Sequence, residues 1–294
     1  MTETRTTIRL ASGRSLSYLD LGDPAGLPVL FTIGTPSSAH GGRAFAGAAA
    51  RHGVRLLSVD KPGYGSSTRD PNRPLLSYGE DVRELADSLG LERVAIAGQS
   101  GGGPHALAAA HLLGDRVSTL TLISTGGPMH QPWARKGMNP LMLSTTWCAN
   151  HAAWLMPLPV GLVKLTGANP DRAQKMLARG VRKATERERA EMTRPEARYL
   201  LEGIAEAFAH GTRAACDEFR AIGQPWGFHL EDIHAPTDMW HGTSDKACPI
   251  AMARELARRL PNAQLHELNG LGHSFFGPEL DAVMAKLATT GARS

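Results

Sequence analysis

Cysteine is scarce in this 294-residue chain, which has three: Cys148, Cys216 and Cys248. An odd set, widely separated and without C-x-x-C spacing, excludes a disulfide framework and reads as free thiols in a reducing, cytoplasmic setting. No apolar run approaches the ~20 residues that a membrane span needs. The N-terminal stretch Met1-Thr2-Glu3-Thr4-Arg5 carries an acid and lacks an apolar h-region, so it is not a secretory signal. A G-x-x-x-x-G-K-[ST] phosphate loop and an H-E-x-x-H helix are also missing. Gly101-Gly102-Gly103 is no dinucleotide fingerprint, because the strand-side spacing and a later acidic ribose partner are both lacking. No metal and no organic cofactor is expected.

The formal net charge of +4 invites a nucleic-acid partner, but its distribution argues against one. The densest basic region, Arg172 to Arg198, interleaves Glu186, Glu188, Glu191 and Glu196 at helical spacings. That pattern is a solvated helix face with i,i+4 pairs rather than a basic stripe. The expected partner is a small-molecule substrate, with no nucleic acid and no membrane, on a monomer or homodimer.

What the chain does contain is ordinary globular material, 42% hydrophobic and 20% charged, arranged as alternating strands and helices. Strands are expected near Thr7–Leu10, Ser15–Leu19, Val29–Ile33, Val54–Val59, Val94–Ala97, Val117–Ile123, Thr237–His241 and Ala263–Leu268. Helices are expected near Ala44–His52, Tyr78–Leu89, Pro104–Leu113, Ile250–Leu260 and Pro278–Ala288. Such alternation predicts a mostly parallel sheet flanked on both faces. It fails between about Thr125 and Gly227, where helical segments are broken by prolines such as Pro128, Pro140, Pro157 and Pro195. Residues 126–227 are therefore read as an inserted helical unit, and 1–125 with 228–294 as the core.

One pentapeptide carries more than the rest. Gly98-Gln99-Ser100-Gly101-Gly102 lies between the strand Val94-Ala95-Ile96-Ala97 and an alanine-rich helix former. Glycines at 98 and 102 permit a sharp bend with the Ser100 hydroxyl exposed at its apex, the signature of a nucleophile elbow. The bend also aims a helix N-terminus at that hydroxyl. A nucleophilic serine needs a base, and the base needs an orienting acid. Asp245 follows the strand ending near His241, and His273 follows the strand ending near Leu268. In a parallel sheet, loops directly after strands share one edge, so Ser100, Asp245 and His273 converge. His241 competes with His273, but sits at a strand end upstream of the acid and reads as a packed structural histidine. His105 reads as packing in the elbow helix, Asp238 and Asp232 as weaker rivals to Asp245, and Cys248 as a plain buried thiol.

With Gly34-Thr35-Pro36, Asp60-Lys61-Pro62-Gly63-Tyr64-Gly65-Ser66-Ser67, His241 to Asp245 and Gly272-His273, these pieces resemble the α/β-hydrolase superfamily. The similarity is to its lid-bearing, serine-esterase-like group and runs from about Ile8 to about Leu287. The resemblance implies an eight-stranded α/β-hydrolase fold with a helical lid over residues 126–227. It implies the triad Ser100, His273 and Asp245, with an oxyanion hole from the backbone N–H groups of Thr35 and Gly101. Relatives usually carry histidine where this chain has Ile33, which puts in question what holds the oxyanion loop. Trp133, Met138, Met142, Trp147, Trp154, Leu155 and Met156 are candidates for an apolar pocket beneath the lid. Of these, Trp133, Met142, Trp147 and Trp154 are singled out as substrate-binding.

The function expected is cofactor-independent cleavage of a carboxylic ester, lactone or thioester of a small to medium, mostly apolar substrate. Serine at the elbow argues against dehalogenase or epoxide-hydrolase chemistry, which uses aspartate there. Carbon–carbon hydrolysis, perhydrolysis and acyl transfer use the same triad and stay open, as does a non-catalytic ligand-binding scaffold.

Overall fold

A computed structural model describes residues 5–180 and 186–292. Residues 1–4 of the N-terminal stretch, and 181–185 within the basic region, lie outside the described residues. The strands are β1 (Arg5–Arg9), β2 (Ser15–Gly22), β3 (Leu27–Thr32), β4 (Val54–Val59), β5 (Val94–Gln99), β6 (Val117–Ile123), β7 (Thr237–Gly242) and β8 (Ala263–Leu268), the inner ones rich in leucine, valine and alanine. They make one sheet in the order β1-β2-β4-β3-β5-β6-β7-β8. β2 runs antiparallel to β1 and β4, and the remaining pairs are parallel. This is the α/β-hydrolase fold.

Because successive side chains of a strand point to opposite faces, each inner strand feeds two cores. Leu30, Leu57 and Ile96 pack on one face with helices α2 (Ser77–Ser88) and α3 (Gly102–Leu113). Val29, Phe31, Leu56 and Ala97 pack on the other with α1 (Arg43–Arg51). Each large aliphatic side chain so buried contributes about 1.5–3 kcal/mol. β5 and β6 are buried along their whole length, as parallel strands covered on both faces are, although β6 carries Ser118, Thr119 and Thr121 among its apolar residues.

Chain order reverses between β3 and β5, which are adjacent in the sheet, with β4 on the far side of β3. In open sheets of this kind the crevice outside the strand C-termini at such a point receives ligands. The loops after β3 and β5 both open there.

Between the paired strands β6 and β7 lie seven helices among the described residues: α4 (Pro132–Arg135), α5 (Pro140–His151), α6 (Pro157–Gly167), α7 (Pro170–Gly180), α8 (Glu186–Met192), α9 (Glu196–Ala207) and α10 (Arg213–Gly223). Pro132, Pro140, Pro157 and Pro170 each stand at the first position of a helix, where the missing N–H costs nothing. Of the prolines that break the pattern in the sequence, Pro140 and Pro157 are therefore helix starts and Pro195 is the N-cap of α9, while Pro128 lies in the loop after β6. Two further helices complete the core, α11 (Ile250–Arg259) on the α2/α3 face and α12 (Gly277–Ala292) on the α1 face. In the described part of the basic region, Arg187, Arg194 and Arg198 each meet a carboxylate, of Glu279, Glu191, and Asp171 with Glu202.

α9 settles against the loop after β3. Gly203 makes this possible: a Cβ there would collide with the Ser37 hydroxyl and the Gly41 backbone. The Ser38 N–H donates to the Gly203 carbonyl at 3.1 Å, and the Ser38 hydroxyl donates to Glu206.

Candidate active site

Ser100 occupies the turn between β5 and α3 with φ of +55°, a left-handed conformation that non-glycine residues rarely adopt. The surroundings enforce it. The Ser100 N–H donates to the Ile123 carbonyl at 2.9 Å, and its own carbonyl accepts from Gly103 and Gly126 N–H at 3.0 Å each. Strain held in this way at a hydroxyl is typical of a residue placed for use.

That hydroxyl lies 2.8 Å from His273 Nε2, and His273 Nδ1 lies 2.8 Å from Asp245 Oδ2. An ionised carboxylate only accepts, so Nδ1 carries the proton and the Nε2 lone pair faces the Ser100 O–H. Burial alone would raise the Asp245 pKa; His273 and His241 beside it overcome that and hold it well below the usual carboxylate range. Its Oδ1 accepts from the backbone N–H groups of Ala247 and Cys248 at 2.8 and 2.9 Å. Burial disfavours the His273 imidazolium, yet the Asp245 charge and its hydrogen bond together outweigh it and raise the pKa above the ordinary histidine value. The structure thus brings together three residues separated by up to 173 positions in sequence. The arrangement can withdraw a proton from Ser100 and stabilise the imidazolium that results.

Thr35 and Gly101 also meet there. A Cβ at position 101 would collide with the Thr35 side chain, so glycine lets the two backbones approach. Among the described residues neither the Thr35 nor the Gly101 N–H donates to another protein group. Two uncommitted N–H groups beside the Ser100 hydroxyl can receive an oxyanion.

A cavity of about 400 Å³ opens over the triad. Its floor is Thr35, Ser100 and His273, and its apolar walls come from Met192 of α8 and Leu200, Leu201 and Ile204 of α9. None of the tryptophans and methionines expected from the sequence lines it. Trp154 is 79% exposed and Trp147 52% exposed, the latter beside His151 on the outer surface. Trp133 lies under the Arg259 guanidinium at 5.2 Å, and Met142 packs against the α2/α3-side core. Met138 and Met156 are buried in that same core, with Leu155 packed against it. These residues build and face the far side of the insertion, whereas α8 and α9 face the cavity. The missed signal is the stripe Ala197, Leu200, Leu201 and Ile204, apolar at i, i+3, i+4 and i+7 of one helix.

Three of the other candidates contribute no side chain to the triad. His105 is fully buried, its Nδ1 3.0 Å from the Gly101 carbonyl, and burial together with Arg73 and Lys61 pushes its pKa far down. Asp238 pairs with His266 at 2.8 Å. The Cys248 thiol is buried and its pKa pushed up, so it is the backbone of that residue that serves Asp245.

Comparison with known proteins bears on the family and the fold. The family described as alpha/beta hydrolase fold matches residues 28–279. The chain is 29% identical over 229 residues to the 2-hydroxy-6-oxononadienedioate/2-hydroxy-6-oxononatrienedioate hydrolase of Cupriavidus pinatubonensis, covering 75% of this chain and 70% of that protein. It is 27% identical over 280 residues to the non-heme chloroperoxidase of Streptomyces lividans, covering 91% and 92% of the two chains. Among solved structures, the esterase EaEST from Exiguobacterium antarcticum superimposes with a TM-score of 0.72 at 19% identity, over 98% of this chain and 100% of that one.

Proposed function

Because the chain belongs to the α/β-hydrolase fold family and is a serine hydrolase, we propose that it cleaves carboxylic esters, lactones or thioesters through an acyl-enzyme. The observation that carries this is the unbroken chain from Ser100 through His273 to Asp245, with 2.8 Å at each link, beside two free backbone N–H groups.

In the proposed reaction Ser100 Oγ attacks the acyl carbon and its proton passes to His273 Nε2. The carbonyl oxygen becomes an oxyanion that accepts from the Thr35 and Gly101 N–H groups, each such donor contributing ~3 kcal/mol. Collapse breaks the bond to the leaving oxygen or sulfur, which takes the proton from His273. Water then repeats the sequence on the acyl-enzyme and releases the acid. Leu200, Leu201 and Ile204 suit an apolar acyl chain of small to medium size, since a 400 Å³ cavity is at the small end of ligand pockets. α8 and α9 act here as a lid.

The test is hydrolysis of p-nitrophenyl esters of rising chain length by the wild type and Ser100→Ala. Turnover by the wild type and its loss in the variant is the expected result. A folded wild type inert toward every ester would sink the ester reading.

Carbon–carbon hydrolysis is the second reading, favoured by the dienedioate named for the Cupriavidus relative and by Lys246, a cation exposed at the cavity rim. A dicarboxylate would meet that ammonium. Turnover of a 6-oxo-dienedioate that falls in Lys246→Met, with ester turnover unchanged, would favour it.

A further inference from the structure

Lys61 is a lysine with no access to solvent, 0% exposed, and its ammonium uses all three donors. It donates to the Ile33 carbonyl at 2.7 Å and the Gly34 carbonyl at 2.6 Å, and pairs with Glu218 of α10 at 2.8 Å. Glu218, 1% exposed, accepts in addition from the Thr35 hydroxyl and the Tyr64 hydroxyl, both at 2.6 Å. A buried ion pair is a poor source of stability, because desolvating both charges offsets much of their attraction. Its place behind the loop after β3 suggests another role, and the geometry supplies one.

The Gly34 carbonyl and the Thr35 N–H belong to one planar peptide unit and point in opposite directions. Fixing the carbonyl on the Lys61 ammonium therefore turns the N–H away from Lys61, at a residue whose backbone nitrogen lies against Gly101. A cation on the carbonyl also polarises the peptide and strengthens its N–H as a donor. The Gly34 N–H is held separately by Gln99 Oε1 at 3.1 Å, so the peptides on both sides of Gly34 are fixed. This answers the question raised by Ile33, whose apolar side chain can hold nothing by hydrogen bonding. The loop is held from behind by a lysine.

We propose that Lys61 is a positioning residue for the Thr35 N–H of the oxyanion hole, and that Glu218 makes its charge tolerable and orients Thr35. Glu218 stands on α10, within the insertion, and Lys61 on the core. The hole is thus completed only when α10 is docked, which couples the seating of the insertion to transition-state stabilisation. This rests on the serine-hydrolase reading of the site.

The test compares Lys61→Met/Glu218→Gln, which removes both charges together, with the wild type. Kinetics on p-nitrophenyl butyrate are measured beside the rate at which a fluorophosphonate labels Ser100. Misplacing one oxyanion donor should lower kcat by roughly 30- to 100-fold. KM should change less than about threefold, since ground-state binding hardly uses that donor. Labelling should slow in parallel.

A merely structural pair would lower thermal stability and leave kcat alone. A folded double variant with kcat within about threefold of wild type overturns the proposal. Should the double variant not fold, Thr35→Val and Thr35→Ser decide. The valine should lose about tenfold in kcat and the serine, which keeps the hydroxyl for Glu218, should restore it; equal activity in both overturns the proposal. A wild type that the fluorophosphonate leaves unlabelled overturns the hydrolase reading and the proposal with it. Normal labelling in wild type and variants alike overturns the positioning role alone.

Discussion

His241 Nε2 lies 3.3 Å from Asp245 Oδ2, the same oxygen that receives the His273 Nδ1–H at 2.8 Å. One carboxylate therefore stands between two imidazoles. The His241 N–H also reaches the Cys248 carbonyl at 2.7 Å, tying the loop that bears Asp245 back to the end of β7. The packed histidine of the sequence reading is packed, being 1% exposed, but it also holds the acid.

His241→Phe keeps the ring and removes the donor, leaving the Cys248 carbonyl unpaired. Stability should fall by about 1–3 kcal/mol. Loss of one orienting partner from Asp245 should also reduce kcat by about tenfold, an effect of ~1.4 kcal/mol. Thermal denaturation and ester kinetics together test this, and an unchanged melting temperature would remove His241 from the account.

Ser100 offers a separate measurement of strain. At φ of +55° a side chain is disfavoured and glycine is not. Ser100→Gly should abolish turnover and yet stabilise the fold by about 1 kcal/mol. In a chain of this size that is a rise of about 2 °C in Tm. A fall in Tm would mean that the hydroxyl, through His273, stabilises more than the backbone strain costs.

The pH dependence follows from the sign of the His273 shift. His273 must be neutral to accept the Ser100 proton, and Asp245 raises its pKa against the opposing effect of burial. Ester kcat/KM should therefore be lost as pH falls through a value above the ordinary ~6.5, about tenfold per pH unit below it. Asp245→Asn removes the raising charge and leaves burial unopposed, so the acid limb should move to lower pH. Activity at neutral pH should drop by about 10⁴-fold, because asparagine permits the wrong imidazole tautomer. An acid limb that stays in place in Asp245→Asn would assign it to another group.

How legible was this site? Ser100, Asp245 and His273 each follow a strand that is apolar enough to recognise, and parallel topology carries the three loops to one edge. Local sequence and a simple sheet rule are sufficient for that. The cavity wall is different in kind. Which face of the insertion meets the sheet edge depends on Gly203 fitting against Gly41 and on Ser38 reaching Glu206, contacts between residues some 160 positions apart. Nothing local announces them, and the conspicuous tryptophans drew the reading to the outer surface. Lys61 was missed for a related reason. Within Asp60-Lys61-Pro62-Gly63 it reads as part of a tight turn, and its partner Glu218 lies 157 positions away in an unremarkable helix.

Leu201 sits on the cavity wall, while Trp154 stands on the outside of the insertion. Leu201→Trp fills part of a 400 Å³ space and should exclude longer acyl chains. Each methylene in an apolar pocket is worth about 1–3 kcal/mol. The ratio of kcat/KM for the octanoate to that for the acetate ester should therefore fall at least ~10-fold in this variant. Trp154→Ala should leave the ratio within about twofold, since that ring touches no part of the cavity. The opposite pattern, with Trp154 controlling chain length and Leu201 silent, would show that substrate enters from the far side of the insertion and that α9 is not the wall of the acyl pocket.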